Sequence, residues 1–262
     1  MLNLNQIVIA AFIFVIGLVV GSFMNVMIFR IPKKESIAFP PSHCPACGHR
    51  LSVYDLVPVF SWLFLKGKCR YCHAPISKQY PLIELLTGVS FVCFYLLFGW
   101  KADFIVSLVL YVFLITILCI DFRYFIVPNI LILFMLPIAI VIAYINIQNP
   151  IFTYAGTDPL SPLYGGLIGA GILFSISLLG YFMYGKREVM GLGDVKLLLV
   201  LGILCGLQNI LFTLLLSVIL GAIVSIYLIL CKDKDKRDKI AFAPFLICSF
   251  FIVIFTNYFN LF

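Results

Sequence analysis

The chain has 262 residues, of which 63% are hydrophobic and only 11% are charged, and its mean hydropathy is +1.15. A water-soluble domain of this size cannot expose that much apolar surface, so the composition excludes a soluble globular protein and predicts a polytopic membrane protein. The net charge of +7 comes from Lys and Arg residues that collect between the apolar runs, so it calls for no nucleic-acid partner.

Uncharged apolar runs of about 17–25 residues are long enough to cross a bilayer as helices. The sequence contains eight such runs, of which the sixth is short: 6–29, 81–99, 103–121, 127–147, 163–185, 193–207, 209–231 and 240–260. We therefore predict an all-α membrane protein of about eight transmembrane helices. Its predicted parts are the first helix (1–29), a polar island (30–80) and a seven-helix membrane core (81–262).

The distribution of basic residues predicts the topology. No basic residue precedes the first run, and three follow it closely, so we expect an uncleaved helix with its N-terminus outside. Alternating the runs then puts 16 of the 18 Lys and Arg residues on one side, in segments 30–80, 122–126, 186–192 and 232–239. By the positive-inside rule this side is the cytoplasm. We expect both termini outside, the island inside and membrane lipid as a partner.

The island contains four cysteines with the spacing C-x2-C-x21-C-x2-C: Cys44, Cys47, Cys69 and Cys72. Two thiolate pairs on tight turns can converge into the tetrahedron that Zn²⁺ prefers, and an island of about 50 residues is too small to rely on its own core. Four thiols leave no open position, so we predict a structural zinc site. Redox chemistry at one C-x-x-C pair and plain buried cysteines remain alternatives. We treat the neighbouring histidines as flanking residues: His43, His49 and His73.

Two carboxylates resist a simple structural explanation. Asp121 ends the third run and Asp194 opens the sixth, and the predicted topology brings both to the cytoplasmic face. Two carboxylates that share one proton supply an acid and a base without a metal, which is aspartic-protease chemistry. Because the helix dipole favours a carboxylate in a first turn and disfavours one in a last turn, we expect Asp194 to act as the base and Asp121 as the first proton donor.

Residues next to Asp194 have expected roles of their own, and two other interpretations of the aspartate pair remain open. Gly191 and Gly193 have no Cβ, so an extended substrate segment is expected to approach there. Lys196 is expected to snorkel to the membrane surface or to pair with a carboxylate. If Arg123 and Lys196 neutralise the two aspartates, the pair is structural; if the aspartates relay protons or ions, the protein is a coupled transporter. A zinc-dependent assembly scaffold is a third possibility, in which neither aspartate is needed.

Several blocks of sequence resemble one known family, the bacterial type IV prepilin peptidases, which are membrane aspartic proteases of the GxGD type. The blocks follow the family's order: "GSFMNVMIFRIP" (21–32), "CPACGHRLSVYDLVPVFSWLFLKGKCRYC" (44–72), "ISKQYPLIELLTG" (76–88), "IDFRYFIVPN" (120–129) and "GLGDVKLLLVLG" (191–202). A lone GxGD is weak evidence, but its combination with the four-cysteine island is specific.

The resemblance implies a function for this chain. The family's two catalytic aspartates fall on Asp121 and Asp194. The family cleaves the leaders of prepilins and pilin-like proteins, its expected substrate partners, after a glycine on the cytoplasmic side. Members with the cysteine island also methylate the new N-terminus with S-adenosylmethionine. No glycine-rich signature for this donor appears, and Glu84 is the candidate for a role in methyl transfer.

One block departs from the family pattern. The chain has "IAFAPF" at 240–245 where family members often have "IPFGPF". The missing proline and glycine are expected to affect how the last helix begins, and to touch no proposed catalytic group.

Overall fold

A computed structural model describes residues 3–148, 158–183, 191–231 and 241–259. Helices dominate these ranges, and strands are absent from them. The helices are α1 (Leu4–Arg30), the short α2 (Phe60–Phe64), α3 (Gln79–Phe98), α4 (Ala102–Tyr124), α5 (Asn129–Gln148), α6 (Ser161–Met183), α7 (Leu192–Cys231) and α8 (Ala243–Tyr258). The prediction of an all-α membrane protein with a small domain after the first helix is confirmed.

Six of the described helices are long and apolar enough to cross a membrane. The longest, α7, has 40 residues and contains non-helical backbone at Gly206, with φ 75° and ψ 176°. The break frees the N–H of Leu207, which donates to Oγ of Ser161 over 3.0 Å. The predicted sixth and seventh spans therefore correspond to the two segments of α7, and the shorter α8 corresponds to the last span.

The described chain forms two compact units, residues 1–112 and 113–262. In the first, α1 and α3 pack closely in antiparallel directions. A Cβ atom at Gly21 of α1 would lie 2.7 Å from Cα of Glu84, and one at Gly17 would lie 2.7 Å from Cα of Gly88. Small residues at these positions let the two backbones approach. The predicted domain boundary at residue 80 stays a prediction.

In the second unit α7 is the central element, because it contacts α5, α6 and α8. Leu197, Leu198 and Leu201, in the turns that follow its first residues, are fully buried. Glycines again allow close packing: a Cβ atom at Gly165 of α6 would lie 2.6 Å from the carbonyl oxygen of Gly202. The beginning of α7 is thus held among its neighbours. Most of the predicted loop 186–192, and all of loop 232–239, lie outside the described residues.

Candidate active site and candidate metal centre

Asp121 and Asp194 lie at the ends of two helices in the second unit. α4 ends at Tyr124, since Phe125 has left-handed backbone with φ 57°, and Asp121 lies in the last turn. α7 begins at Leu192, and Asp194 lies in its first turn. Both side chains are buried, with exposed fractions of 5% and 8%. The fold brings them close enough for the charge of Asp121 to act on Asp194, although 73 residues separate them in sequence.

The beginning of α8 supplies a backbone donor to this pair. The N–H of Ala243, the first residue of α8, donates to Oδ2 of Asp121 over 3.2 Å. Our expectation that the "IAFAPF" block touches no catalytic group is therefore wrong. The helix beginning that the block controls lies against Asp121. Ala243 could not be identified from the sequence, because a backbone N–H carries no side-chain signal.

The glycine before Asp194 has a packing role. A Cβ atom at Gly193 would lie 2.8 Å from Cβ of Val127, in the connection between α4 and α5. Gly193 therefore packs against Val127 of the same chain. At Gly191 the same construction meets only Oδ2 of Asp194, at the ordinary contact distance of 3.7 Å.

Lys196 does not neutralise the aspartates. Its Nζ donates to Oδ1 of Asn129 over 3.0 Å, and the side chain is exposed. Within the described residues it forms no ion pair with Asp121 or Asp194. The interpretation of a structural pair satisfied by Lys196 is therefore not supported.

The four cysteines of the island converge in the first unit. Their Sγ atoms all lie within 4.8 Å of one another, and Sγ of Cys44 and Sγ of Cys72 are 3.8 Å apart. A tetrahedron with Zn–S bonds of about 2.3 Å has edges of about 3.8 Å, so the donor set fits a zinc ion. Cys47 and Cys69 complete the set.

The two C-x-x-C turns have the same backbone design. The N–H of Cys44 donates to the carbonyl of His49, and that of Cys69 donates to the carbonyl of Ala74, each over 2.9 Å. Four residues after the first cysteine of each turn the backbone is left-handed, at Gly48 (φ 71°) and at His73 (φ 57°). Each turn thus presents its two thiols in the same way.

The thiols differ in their ease of ionisation. A backbone hydrogen bond from Cys47 outweighs burial and lowers the pKa of Cys44 to about 7. At Cys72 a backbone N–H of Ala74 acts in the opposite direction, but burial and the neighbouring thiols raise the pKa to about 12. Four thiolates in so small a space need a compensating positive charge, which a metal ion supplies.

The histidines do not belong to this cluster of four thiols. The ring of His49 lies on Tyr71 with centroids 3.7 Å apart, and Nδ1 of His43 lies 3.1 Å from the carbonyl oxygen of Pro41. These contacts agree with the prediction that the histidines flank the site.

A carboxylate braces the island between its two cysteine turns. Asp55 accepts hydrogen bonds from Nε of Arg70 over 2.7 Å, from Ser52 and from the Tyr71 hydroxyl. Partial burial opposes ionisation of Asp55, but the bonds from Arg70 and Ser52 outweigh it and lower its pKa to about 2. The link joins the segment after the first turn to the second turn.

Glu84, the candidate for methyl transfer, contacts the island at Val59. Its side chain is buried, with 6% exposed, and its Oε2 accepts the N–H of Val59 over 2.7 Å. Val59 has left-handed backbone, with φ 63° and ψ −52°. The described contacts of Glu84 are thus made inside the protein.

Comparisons with known proteins agree with these features. Residues 15–98 match the model of the bacterial peptidase A24 N-terminal domain, and residues 108–226 match that of the type IV leader peptidase family. The first match contains the four cysteines and the second contains Asp121 and Asp194. No solved structure matches the chain.

Three relatives carry the name prepilin leader peptidase/N-methyltransferase. A Xanthomonas campestris protein is 34% identical over 92% of this chain and 88% of its own length. A Bacillus subtilis protein is 32% identical over 88% of each chain. A Myxococcus xanthus protein is 37% identical over 86% of this chain, which spans 64% of that protein. This chain belongs to the type IV leader peptidase family.

Proposed function

We propose that this protein cleaves the leader peptides of type IV prepilins and pilin-like proteins by aspartic-protease chemistry, and that it N-methylates the new N-terminus. The observation that carries the proposal is the pairing of two buried aspartates, Asp121 and Asp194, within a chain whose match to the leader peptidase family includes both.

The pair has the groups that peptide hydrolysis requires. Two neighbouring carboxylates keep one proton between them because like charges disfavour ionising both. The ionised carboxylate takes a proton from water, whose oxygen adds to the scissile carbonyl carbon, while the protonated carboxyl gives its proton to the carbonyl oxygen. Collapse of the tetrahedral intermediate breaks the C–N bond: the carboxyl that took the water proton gives it to the leaving amine, and a hydroxyl proton of the intermediate returns to the other carboxylate, which restores the pair. No metal and no covalent enzyme intermediate enter this sequence.

The sequence favoured Asp194 as the base because only Asp194 lay at a helix beginning. The amide of Ala243 places Asp121 at a helix beginning too, that of α8, so the helix dipoles do not distinguish the two roles. We therefore assign the shared proton to Asp121 and Asp194 as a unit.

The four cysteines would hold a structural Zn²⁺, because Cys44, Cys47, Cys69 and Cys72 leave no ligand position free. The ion would fix the island's two turns together and would take no part in hydrolysis. Loss of the metal is therefore expected to unfold the island.

The second activity follows from the relatives' names, which include N-methyltransferase. We propose S-adenosylmethionine as the methyl donor. Glu84 does not fit a donor site in this conformation, because its carboxylate is buried and bonded to the amide of Val59. No step of methyl transfer is therefore derived through Glu84.

The apolar helices and the relatives support a multi-pass protein of the inner membrane. We propose that both termini lie outside and that the island and the aspartates face the cytoplasm, as the distribution of basic residues suggests. Nothing in the fold or in the family supports the coupled transporter.

The test is cleavage of a purified model prepilin by the native protein and by Asp121→Asn and Asp194→Asn at matched folding and zinc content. Asp103→Asn, in the first turn of the same helix as Asp121, is the control. We expect cleavage after the leader glycine by the native and control proteins and none by the two test variants. Near-native turnover by either variant would make that residue structural and would remove the shared-proton mechanism.

A further inference from the structure

The island carries exposed apolar side chains outside every predicted span. In α2, Phe60, Leu63 and Phe64 are 53%, 57% and 83% exposed, and their spacing puts them on one face of the helix. Tyr54, in the neighbouring 3-10 turn Val53–Leu56, is 79% exposed. Exposure of this much aromatic and aliphatic surface to water is unfavourable. It indicates that the segment contacts a membrane or another protein surface.

One hydrogen bond indicates how deep α2 lies in the membrane. Val59, the residue before α2, donates its N–H to Oε2 of Glu84. Glu84 is five residues past the start of α3, or about 7.5 Å along the helix axis. Helical side chains lean toward the N-terminus, so the carboxylate lies nearer that end than its own Cα does. α3 has 20 residues, which is about the length that a helix needs to cross the hydrocarbon core, so little of it can project into water.

The contacts of α1 with α3 independently indicate the same depth for the Val59–Glu84 bond. Gly21 of α1 packs against the backbone of Glu84. Nine residues separate Gly21 from Arg30, the first basic residue after the apolar run, which is about 13.5 Å of helix. A second contact agrees with this alignment, since Nδ2 of Asn25 donates to the carbonyl of Tyr80 over 3.1 Å. On both helices, therefore, the amide of Val59 meets its partner inside the apolar span.

A further contact keeps α2 near the entrance of α3. Nε1 of Trp62, in the middle of α2, donates to the carbonyl of Ile76 over 3.2 Å, three residues before α3 begins. The ring of Trp62 also fills the space beside Gly67, where a Cβ atom would lie 2.9 Å from it. The start and the middle of the short helix are thus held close to the point where α3 enters the membrane.

The charge of the island suits a lipid surface. Residues 30–80 contain eight Lys or Arg residues and two acidic residues, a net charge of +6. Lys66 and Lys68 follow α2 directly and are exposed. A short apolar face next to basic side chains is the pattern of segments that lie in the boundary between head groups and acyl chains.

We propose that α2 lies in this interfacial layer of the bilayer, with Phe60, Leu63 and Phe64 against lipid acyl chains, and that the bond from Val59 to Glu84 holds it at that depth. Glu84 is then a positioning residue, which orders the zinc island against the membrane. This inference does not depend on the proposed protease activity.

The test measures the depth of position 64 in nanodiscs that contain brominated lipids. The chain has two tryptophans, so Trp100→Phe leaves only Trp62, which lies in α2; its signal is measured in each protein that lacks the added tryptophan and is subtracted. Phe64→Trp in this background adds one indole at the exposed end of α2. Phe12→Trp, at a 66% exposed position inside α1, gives the reference for full lipid contact. Free N-acetyltryptophanamide gives the reference for water.

We expect bromines near the head groups to quench the indole at position 64 as strongly as they quench the α1 reference, and aqueous iodide to quench it weakly. Strong quenching by iodide without quenching by bromolipid would put α2 in water and overturn the proposal. Quenching by neither would show that protein, such as a second copy of the chain, covers the face, and would also overturn it.

The role of Glu84 is tested in the same protein. Glu84→Gln keeps an oxygen that can accept the Val59 N–H, whereas Glu84→Ala removes the acceptor. We expect quenching by bromolipid to persist in the glutamine variant and to fall in the alanine variant. Equal quenching in both variants would show that the bond does not hold α2 in the interface.

Discussion

The backbone amide of Ala243 donates a hydrogen bond to the carboxylate of Asp121, and 122 residues separate the two in sequence. The bond joins the beginning of α8 to the end of α4. It gives Asp121 the same kind of electrostatic partner that Asp194 has in the first turn of α7. Both members of the proposed catalytic pair therefore depend on how a helix begins.

Two substitutions of Ala243 are expected to show whether cleavage depends on the backbone hydrogen bond to Asp121 or on the alanine side chain. Ala243→Gly keeps the N–H and should cleave prepilin at a near-native rate. Ala243→Val adds two methyl groups where the native side chain is fully buried, so the start of α8 must shift away from Asp121. Loss of a hydrogen bond to a charged group, worth about 1.5–3 kcal/mol, should lower kcat about tenfold or more. Steady-state kinetics check this, and equal kcat values for the two variants would contradict it.

Removal of one cysteine of the predicted metal centre is expected to abolish stoichiometric zinc. Cys44→Ser or Cys69→Ser leaves three thiols, so binding should weaken strongly and the island should lose its fold. Metal analysis of purified protein, with limited proteolysis of the island, measures both effects. Cys93→Ser, an exposed cysteine in α3, is the control and should retain zinc. Full zinc content in either test variant would refute the four-cysteine site.

The bond from Lys196 to Asn129 is expected to contribute little. Lys196 is exposed, so solvent screens the interaction, and a coupling free energy of about 0.5 kcal/mol is typical of such pairs. A double-mutant cycle with Lys196→Met and Asn129→Ala, measured by thermal unfolding and by prepilin cleavage, tests this. Loss of cleavage in Lys196→Met at unchanged stability would show instead that the ammonium group acts in the reaction.

The candidate site residues could be predicted from the sequence where their type or spacing differs from that of the surrounding residues. Asp121 and Asp194 are acidic groups in apolar runs, and the four cysteines have a spacing that suits one tetrahedral ion. The contacts around them were not predictable, because they depend on the backbone. The donor to Asp121 is an amide, and the partner of Glu84 is an amide of Val59 in a left-handed conformation that valine rarely adopts. The break in α7 likewise depends on left-handed backbone at Gly206.

Two glycine substitutions are expected to differ in their effect on stability. Gly21→Ala puts a methyl group 2.7 Å from the backbone of Glu84, so α1 and α3 must move apart, at a cost of about 1–3 kcal/mol in the free energy of unfolding. Gly171→Ala, in α6, meets nothing within 4 Å and should be neutral or stabilise by about 0.5–1 kcal/mol. Thermal unfolding in detergent compares them. A stable Gly21→Ala protein would show that the close approach of α1 and α3 is not required.

Asp55 is expected to stabilise the island by an amount that is constant between about pH 5 and pH 8. Its pKa in the folded protein is about 2, below the ordinary value of 3.8, so the folded state favours the ionised form. The stabilisation is therefore complete above the ordinary pKa and is lost only as the pH falls through the folded value. Because Arg70 is half exposed, Asp55→Asn should cost only about 1 kcal/mol. Zinc release in urea, compared between the native protein and this variant, measures the difference, and Glu35→Gln, which changes the island's other acidic residue, is the control. A difference that changes within this pH range would mean that another group titrates with the bond between Asp55 and Arg70.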